Sequence, residues 1–204
     1  KYGLTMINQT THETTSSPEQ LPNGYSLSDF NQLTPEQQSA YEQSMRLLLE
    51  PLYGNQDEAL DKIRRAEDRQ ADVVLDDSGE PCATLVYKKD LVSEVHWDMC
   101  NGDTVRTDEA FEVKTLALFH PDKDGGNGLG SWLASRAEML ARAANAKGIV
   151  LTVTDESKAK DFFTHSQAYG WALYKTDKTP ETSGHLLYKS LEAGGIDRSG
   201  SWFN

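Results

Sequence analysis

The chain has 204 residues, enough for one sizeable α/β domain and too few for two ordinary ones. Apolar residues make up 37% and charged residues 25%. No run of about 18 apolar residues occurs, so no transmembrane helix is expected. A net charge of −12 argues against nucleic acid as a partner, because a phosphate backbone rewards clustered Lys and Arg. The same charge suits a cationic acceptor such as a polyamine, an aminosugar or a lysine side chain, and equally serves solubility alone.

Cys82 and Cys100 make no disulfide framework and no C-x-x-C pair, which predicts reduced thiols and a cytoplasmic setting. No basic-then-apolar leader opens the chain, which argues against secretion. Residues 1–23 are rich in Thr, Ser and Gln without apolar periodicity and read as a mobile arm.

A short strand is expected near Tyr25 and Leu27. Thr34-Pro35-Glu36-Gln37 then signals a helix start, with Thr34 as N-cap, Pro35 in the first turn and Gln37 closing a capping box. Tyr41, Met45, Leu48 and Leu52 share a face at helical spacing, and Pro51 should end or kink that helix. A second helix begins at Asp57, with Leu60 and Ile63 inward. The period then changes. Ala71 to Leu75 and Cys82 to Tyr87 read as a hairpin turning at Asp77-Ser78-Gly79. Leu91 to Trp97 extends that strand or forms a further hairpin ending at Asn101-Gly102. Phe111 to Phe119 is the most apolar strand. Ser131 to Lys147 reads as a helix burying Leu133, Ala137, Leu140, Ala141 and Ala144, with Gly148 as C-cap. A buried strand from Ile149 to Val153, a helix from Lys158 to about Ala168 and an antiparallel pair, Trp171–Lys175 with His185–Leu191, complete a domain over 24–192. Residues 193–204 form a tail.

The chemistry concentrates where the apolar strand meets Pro121 and the run Gly125-Gly126-Asn127-Gly128-Leu129-Gly130-Ser131. A helix that starts on glycines points unpaired N–H groups and a positive dipole end outward, and both favour phosphate. A plain flexible turn would carry the same glycines. Three other loops are excluded by their own spacing. A P-loop needs Lys then Ser or Thr after its last glycine, whereas Ser131 follows Gly130 directly. A dinucleotide fingerprint would place its third glycine on Ser131 or Leu133. A calcium loop from Asp122 would have Asn127 and Leu133 at its sixth and twelfth positions, where Gly and Glu are required.

Strand, Pro, a turn with G-x-G and an Ala-rich helix resemble the acyl-CoA-binding motif of the GNAT superfamily of N-acetyltransferases. The later strand, helix and Gly170-Trp171 are similar to that family's next motif. The resemblance implies an α/β (α+β) fold, a mixed, mostly antiparallel central sheet flanked by helices. It implies acetyl-CoA as cosubstrate and acetyl transfer to a primary amine of a small molecule or protein by direct attack. A non-catalytic acyl-CoA-binding or protein-interaction module on the same fold is the alternative. It further implies pairing of the pantetheine arm with the backbone of Leu118, Phe119 and His120. Gly125, Gly126, Asn127, Gly128, Leu129, Gly130 and Ser131 would hold the pyrophosphate, and Ser157 would open the helix beside the thioester. Homodimerisation through the final strands is an arrangement such folds use.

Gly125 stands where the family usually has Arg or Gln, and Asp122 and Asp124 oppose a polyanion with only Lys123 beside them. No phenol occupies the family's usual acid position, which falls on Phe163, Thr164 or Ser166, so Tyr169 and His165 are the nearby substitutes. Core packing for Tyr169 and a surface position for His165 compete with those roles. Glu112 is the candidate general base, against the simpler reading of a solvated strand-end carboxylate. His96 and Trp97 either line an acceptor cleft or belong to an amphipathic edge strand.

Overall fold

The computed structural model describes residues 20–97, 103–124, 126–154, 163, 171–178 and 183–191. Strand β1 (Ser26–Asp29) leads through a 3-10 turn into α1 (Pro35–Tyr53) and α2 (Asp57–Arg65). Strands β2 (Arg69–Leu75), β3 (Pro81–Lys88), β4 (Val92–Trp97) and β5 (Asp103–Leu118) follow. A single turn α3 (Pro121–Asp124) precedes α4 (Leu129–Ala143). Strands β6 (Gly148–Thr154), β7 (Ala172–Lys178) and β8 (Ser183–Ser190) complete the described elements.

The strands form one sheet in the order β1-β2-β3-β5-β6-β8-β7, with β4 on β5 beside that path. Of the described pairings, β5 with β6 is parallel and the rest are antiparallel. This is the mixed, mostly antiparallel sheet expected from the sequence. The β2–β3 turn also falls as expected, with Gly79 supplying φ +83°. Among the described residues, no helix is long and apolar enough to cross a membrane.

The sheet separates two apolar layers. On one face, Tyr41, Met45 and Leu49 of α1 and Leu60 and Ile63 of α2 pack on Val73 and Val86. On the other, Leu129, Leu133, Ala137 and Ala141 of α4 pack on Leu85, Phe111, Val113 and Ile149. Truncating one large member of either layer costs about 2–5 kcal/mol.

Several boundaries differ from the sequence reading. Leu49 joins Tyr41 and Met45 in the core, keeping the i, i+4, i+8 stripe, while Leu48 packs against it half-buried. Pro51 sits inside α1, which runs on to Tyr53. The carbonyl its ring leaves unbonded is that of Leu47, an exposed residue, so water can satisfy it. Strand β5 begins eight residues earlier than expected, because β4 pairs with its first half (Val95↔Val105) as the hairpin alternative required. Helix α4 spans Leu129–Ala143, and its chain reversal uses Asn145 at φ +57°. Gly148 opens β6 instead of capping α4; a Cβ there would lie 2.2 Å from Tyr188 Oη, so any other residue would have to displace the Tyr188 ring. The predicted arm, the C-terminal tail and Cys100 fall largely or wholly outside the described residues, as does all of the Lys158–Ala168 helix except Phe163.

Candidate functional site

The site grows from the behaviour of β5. Ala110 to Val113 pair in parallel with Gly148 to Leu151, and there the described β5–β6 pairing stops. Both strands continue: β5 remains on β3 to Leu118, and β6 remains on β8 to Thr154. They therefore part as a wedge, open from Lys114 to Leu118, about 13 Å of strand at the usual rise. The register on β3 slips between Val86↔Thr115 and Tyr87↔Val113, leaving Lys114 as the extra residue of a bulge at the apex.

Backbone direction along the wedge follows from one hydrogen bond. The Phe119 N–H donates to the Cys82 carbonyl at 2.8 Å. Antiparallel alternation then turns Ala117 and Thr115 toward β3, while Leu118 and Leu116 present N–H and C=O to the open edge. Of the next two residues, the Phe119 N–H and the His120 carbonyl are bonded inside the protein. Phe119 has spent its N–H, and its ring packs on Tyr41 at 5.6 Å. The His120 carbonyl accepts from Lys123 N (3.0 Å) and Asp124 N (2.8 Å), while the residue itself is exposed.

Beyond the wedge the chain makes α3 and then the start of α4. Gly126 and Gly128 adopt φ +86° and +78°, a left-handed conformation that side chains other than Asn and Asp resist. A Cβ on either would meet no atom within 4 Å, so the space above both is free for a ligand's approach. Gly128 is the N-cap of α4, and among the described residues no side chain makes a cap hydrogen bond there. Leu129, Gly130 and Ser131 thus bring the helix's first N–H groups to the mouth of the wedge. Gly125 lies outside the described residues.

The acidic residues of the loop are tied down on its far side. Asp124 is buried; its Oδ1 accepts from Tyr25 Oη at 2.9 Å, and its Oδ2 has no hydrogen-bond partner among the described residues. Asn127 Nδ2 donates to the same Tyr25 oxygen at 3.2 Å. That donation favours the phenolate, yet burial and Asp124 outweigh it and raise the Tyr25 pKa. Lys123 Nζ bonds Asp76 Oδ2 at 2.9 Å. Ser78 and then Lys123 hold the Asp76 carboxyl below the usual carboxylate range. A cavity of about 390 Å³ opens here, lined by Tyr25, Asp76, Asp77, Lys123, Asp124 and Asn127. Three carboxylates against one ammonium repel a polyphosphate, so this cavity is a poor phosphate site and the uncapped end of α4 is the better one. Cys82 beneath it is pushed up to about 12 by burial and then by Asp124, and is an inert thiol.

At the apex stands Glu112, 3% exposed, which rules out the solvated strand-end reading. Its Oε1 lies 2.8 Å from Lys114 Nζ and its Oε2 3.0 Å from Lys88 Nζ. The Lys88 contact is an ion pair without hydrogen-bond geometry. Alternation from Ala110, whose neighbours are Val95, Val150 and Leu186, puts Glu112 on the face of α1 and α2, opposite α4. The structure thus brings Glu112, the open edge and the glycine loop to one line along β5. Tyr169, His165 and Ser157 lie outside the described residues, as do the side chains of His96 and Trp97. Sequence reasoning missed Lys88, Lys114 and Leu116. Lys114, two residues from Glu112 on a strand, was open to discovery by alternation, whereas Lys88 needs the β3–β5 register.

No protein-family model matches the chain, and no curated protein matches it in sequence. Solved structures do resemble it. Arabidopsis thaliana NAA60, in complex with a bisubstrate analogue, is 14% identical over 81% of this chain and 98% of its own, with a TM-score of 0.59. An acetyltransferase from Streptococcus agalactiae is 16% identical, covering 83% and 99%, with a TM-score of 0.58. An aminoglycoside 6'-N-acetyltransferase complexed with coenzyme A is 12% identical, covering 84% and 99%, also with a TM-score of 0.58. At these identities the likeness shows the fold, which is that of the GNAT N-acetyltransferases.

Proposed function

We propose that the chain is an acyl-CoA-dependent N-acyltransferase that moves the acetyl group of acetyl-CoA to a primary amine by direct attack. The observation that carries this reading is the wedge of β5 and β6, opening at one end on the uncapped start of α4 and closing at the other on Glu112. The amides of Leu129, Gly130 and Ser131, with the open space above Gly126 and Gly128, fit a diphosphate. The groups of Leu116 and Leu118 fit an amide-bearing arm laid along the edge as an added strand. Such an arm ends beside Glu112 and the bulge at Lys114.

The thioester supplies an activated acetyl carbonyl. Glu112, ion-paired with Lys88 and Lys114, accepts the proton of the attacking amine, directly or through one water. The C–N bond forms as the C–S bond breaks, and the sulfur leaves as a thiolate that takes a proton from Tyr169, His165 or solvent. The test is acetyl-CoA-dependent thiol release with a panel of amines. Glu112→Gln, nearly isosteric, should lower kcat by about 10²- to 10⁴-fold with acetyl-CoA affinity within threefold of the parent. Full activity in that variant would remove Glu112 from the mechanism. Binding without turnover on any amine would favour a non-catalytic binder.

A further inference from the structure

The charge at the apex of the wedge is inverted relative to much of the molecule. The chain holds 32 acidic against 20 basic side chains, and several of its cations sit between two carboxylates. Arg46 contacts Glu50 and Asp57, Arg64 contacts Glu42 and Asp61, and Lys147 contacts Asp108 and Glu109. At Glu112 two ammonium groups share one carboxylate. Glu138 is shared in the same way by Arg142 and Lys189, along the rim of α4 and β8. Among the described residues, only the Glu112 cluster stands where the strands part.

The side chains of Lys88 and Lys114 are 24% and 29% exposed, against 5% for Glu112. Neither lysine has a second carboxylate within ion-pair distance among the described residues. An ammonium has three donors and no acceptor. Lys114 donates one of its three to Glu112, Lys88 meets Glu112 as an ion pair without a hydrogen bond, and each keeps donors for whatever enters the cleft. The surplus is one positive charge, partly desolvated, beside the group that would take the amine's proton. A cationic polyamine or aminosugar placed there meets repulsion from two ammoniums.

Resting on the acyltransferase reading above, we infer that the acceptor is an amine that also carries an anionic group, a carboxylate or a phosphate, bound by Lys88 and Lys114. Geometry fixes its spacing. An amine that reaches Glu112 directly or through water, with an anion about 2.8 Å from a neighbouring ammonium, has its two groups roughly 4–7 Å apart. Two or three carbons between amine and carboxylate satisfy this, as in β- and γ-amino acids. Such amino acids with free carboxylates and aminoalkyl phosphates fit; simple diamines and unmodified aminosugars do not.

Matched acceptors test the assignment: β-alanine against β-alaninamide, 4-aminobutyrate against its amide, and O-phosphoethanolamine against ethanolamine. Thiol release from acetyl-CoA is followed with the full chain and with Lys88→Met and Lys114→Met. The anionic member of at least one pair should have the higher kcat/KM by about 10- to 100-fold. Either Met variant should erase most of that ratio while changing the neutral member's KM by less than about threefold. The pair that responds separates carboxylate from phosphate. Equal or better turnover of the neutral members overturns the inference and leaves acyl transfer standing. Saturable acetyl-CoA binding with no transfer to any anionic member also overturns it. Absence of acetyl-CoA binding removes the acyltransferase reading itself, and the anionic acceptor with it.

Discussion

Two helices of this molecule begin in opposite ways. At the start of α1, Thr34 Oγ1 accepts from Gln37 N at 3.3 Å and Gln37 Oε1 accepts from Thr34 N at 3.1 Å, with Pro35 removing one donor outright. At the start of α4, Gly128 caps with no side chain at all, and its φ of +78° is one that few other residues accept. The first start satisfies its own donors and serves stability. The second has no side-chain cap at Gly128, and the space above that glycine is open to a ligand. Helix starts of equal quality to a propensity scale thus differ in what they are for, and the difference is written in side chains at the cap.

The largest expected effect comes from closing the open start. Gly128→Glu sets a carboxylate over the amides of α4 and should weaken acetyl-CoA binding by at least about 100-fold, or roughly 2.7 kcal/mol. The same change strains φ by about 1–2 kcal/mol, so Gly128→Asn serves as partner. Asn tolerates the left-handed conformation, and should fold normally yet weaken binding by about tenfold as its side chain caps the helix. Calorimetric titration reads both. Equal binding in Gly128→Glu and the parent would erase the distinction between the two starts.

A smaller effect tests the brace behind the loop. Asp76 Oδ1 accepts from Ser78 N, Ser78 Oγ and Glu80 N, and its Oδ2 holds Lys123. Asp76→Asn should destabilise the fold by about 1–2 kcal/mol at neutral pH. Because the folded carboxyl titrates below its usual range, its contribution is present above about pH 4 and is lost as the pH falls toward the folded value. The gap between parent and Asp76→Asn in urea midpoints should therefore shrink on acidification from pH 6 to pH 3. A constant gap would refute the linkage. The smallest effect opens the closed start: Thr34→Ala should cost about 1 kcal/mol by denaturant unfolding and leave acetyl-CoA affinity unchanged.

Local chemistry made much of this legible in the sequence. The Thr34–Gln37 box, the Asp77-Ser78-Gly79 turn and the glycine run before α4 each depend on neighbours within about four residues, and each stands close to where the spacing put it. Element order followed, and with it the fold. What escaped depends on partners distant in sequence. Gly148 reads as a cap until Tyr188, forty residues on, is laid against it. Glu112 reads as a surface acid until the β3–β5 register brings Lys88 to it. Which groups of the loop face a ligand is equally non-local. The Phe119 N–H and the His120 carbonyl looked free in sequence, and Cys82 and α3 take those two groups.

Acyl transfer as proposed requires the uncapped start of α4 and the open edge of β5 to hold an acyl-CoA together. Calorimetric titration of acetyl-CoA into the full chain tests it most directly. Saturable binding at about one equivalent is expected, with affinity falling as salt rises, since a diphosphate is held partly by charge. No heat of binding at millimolar acetyl-CoA would contradict it.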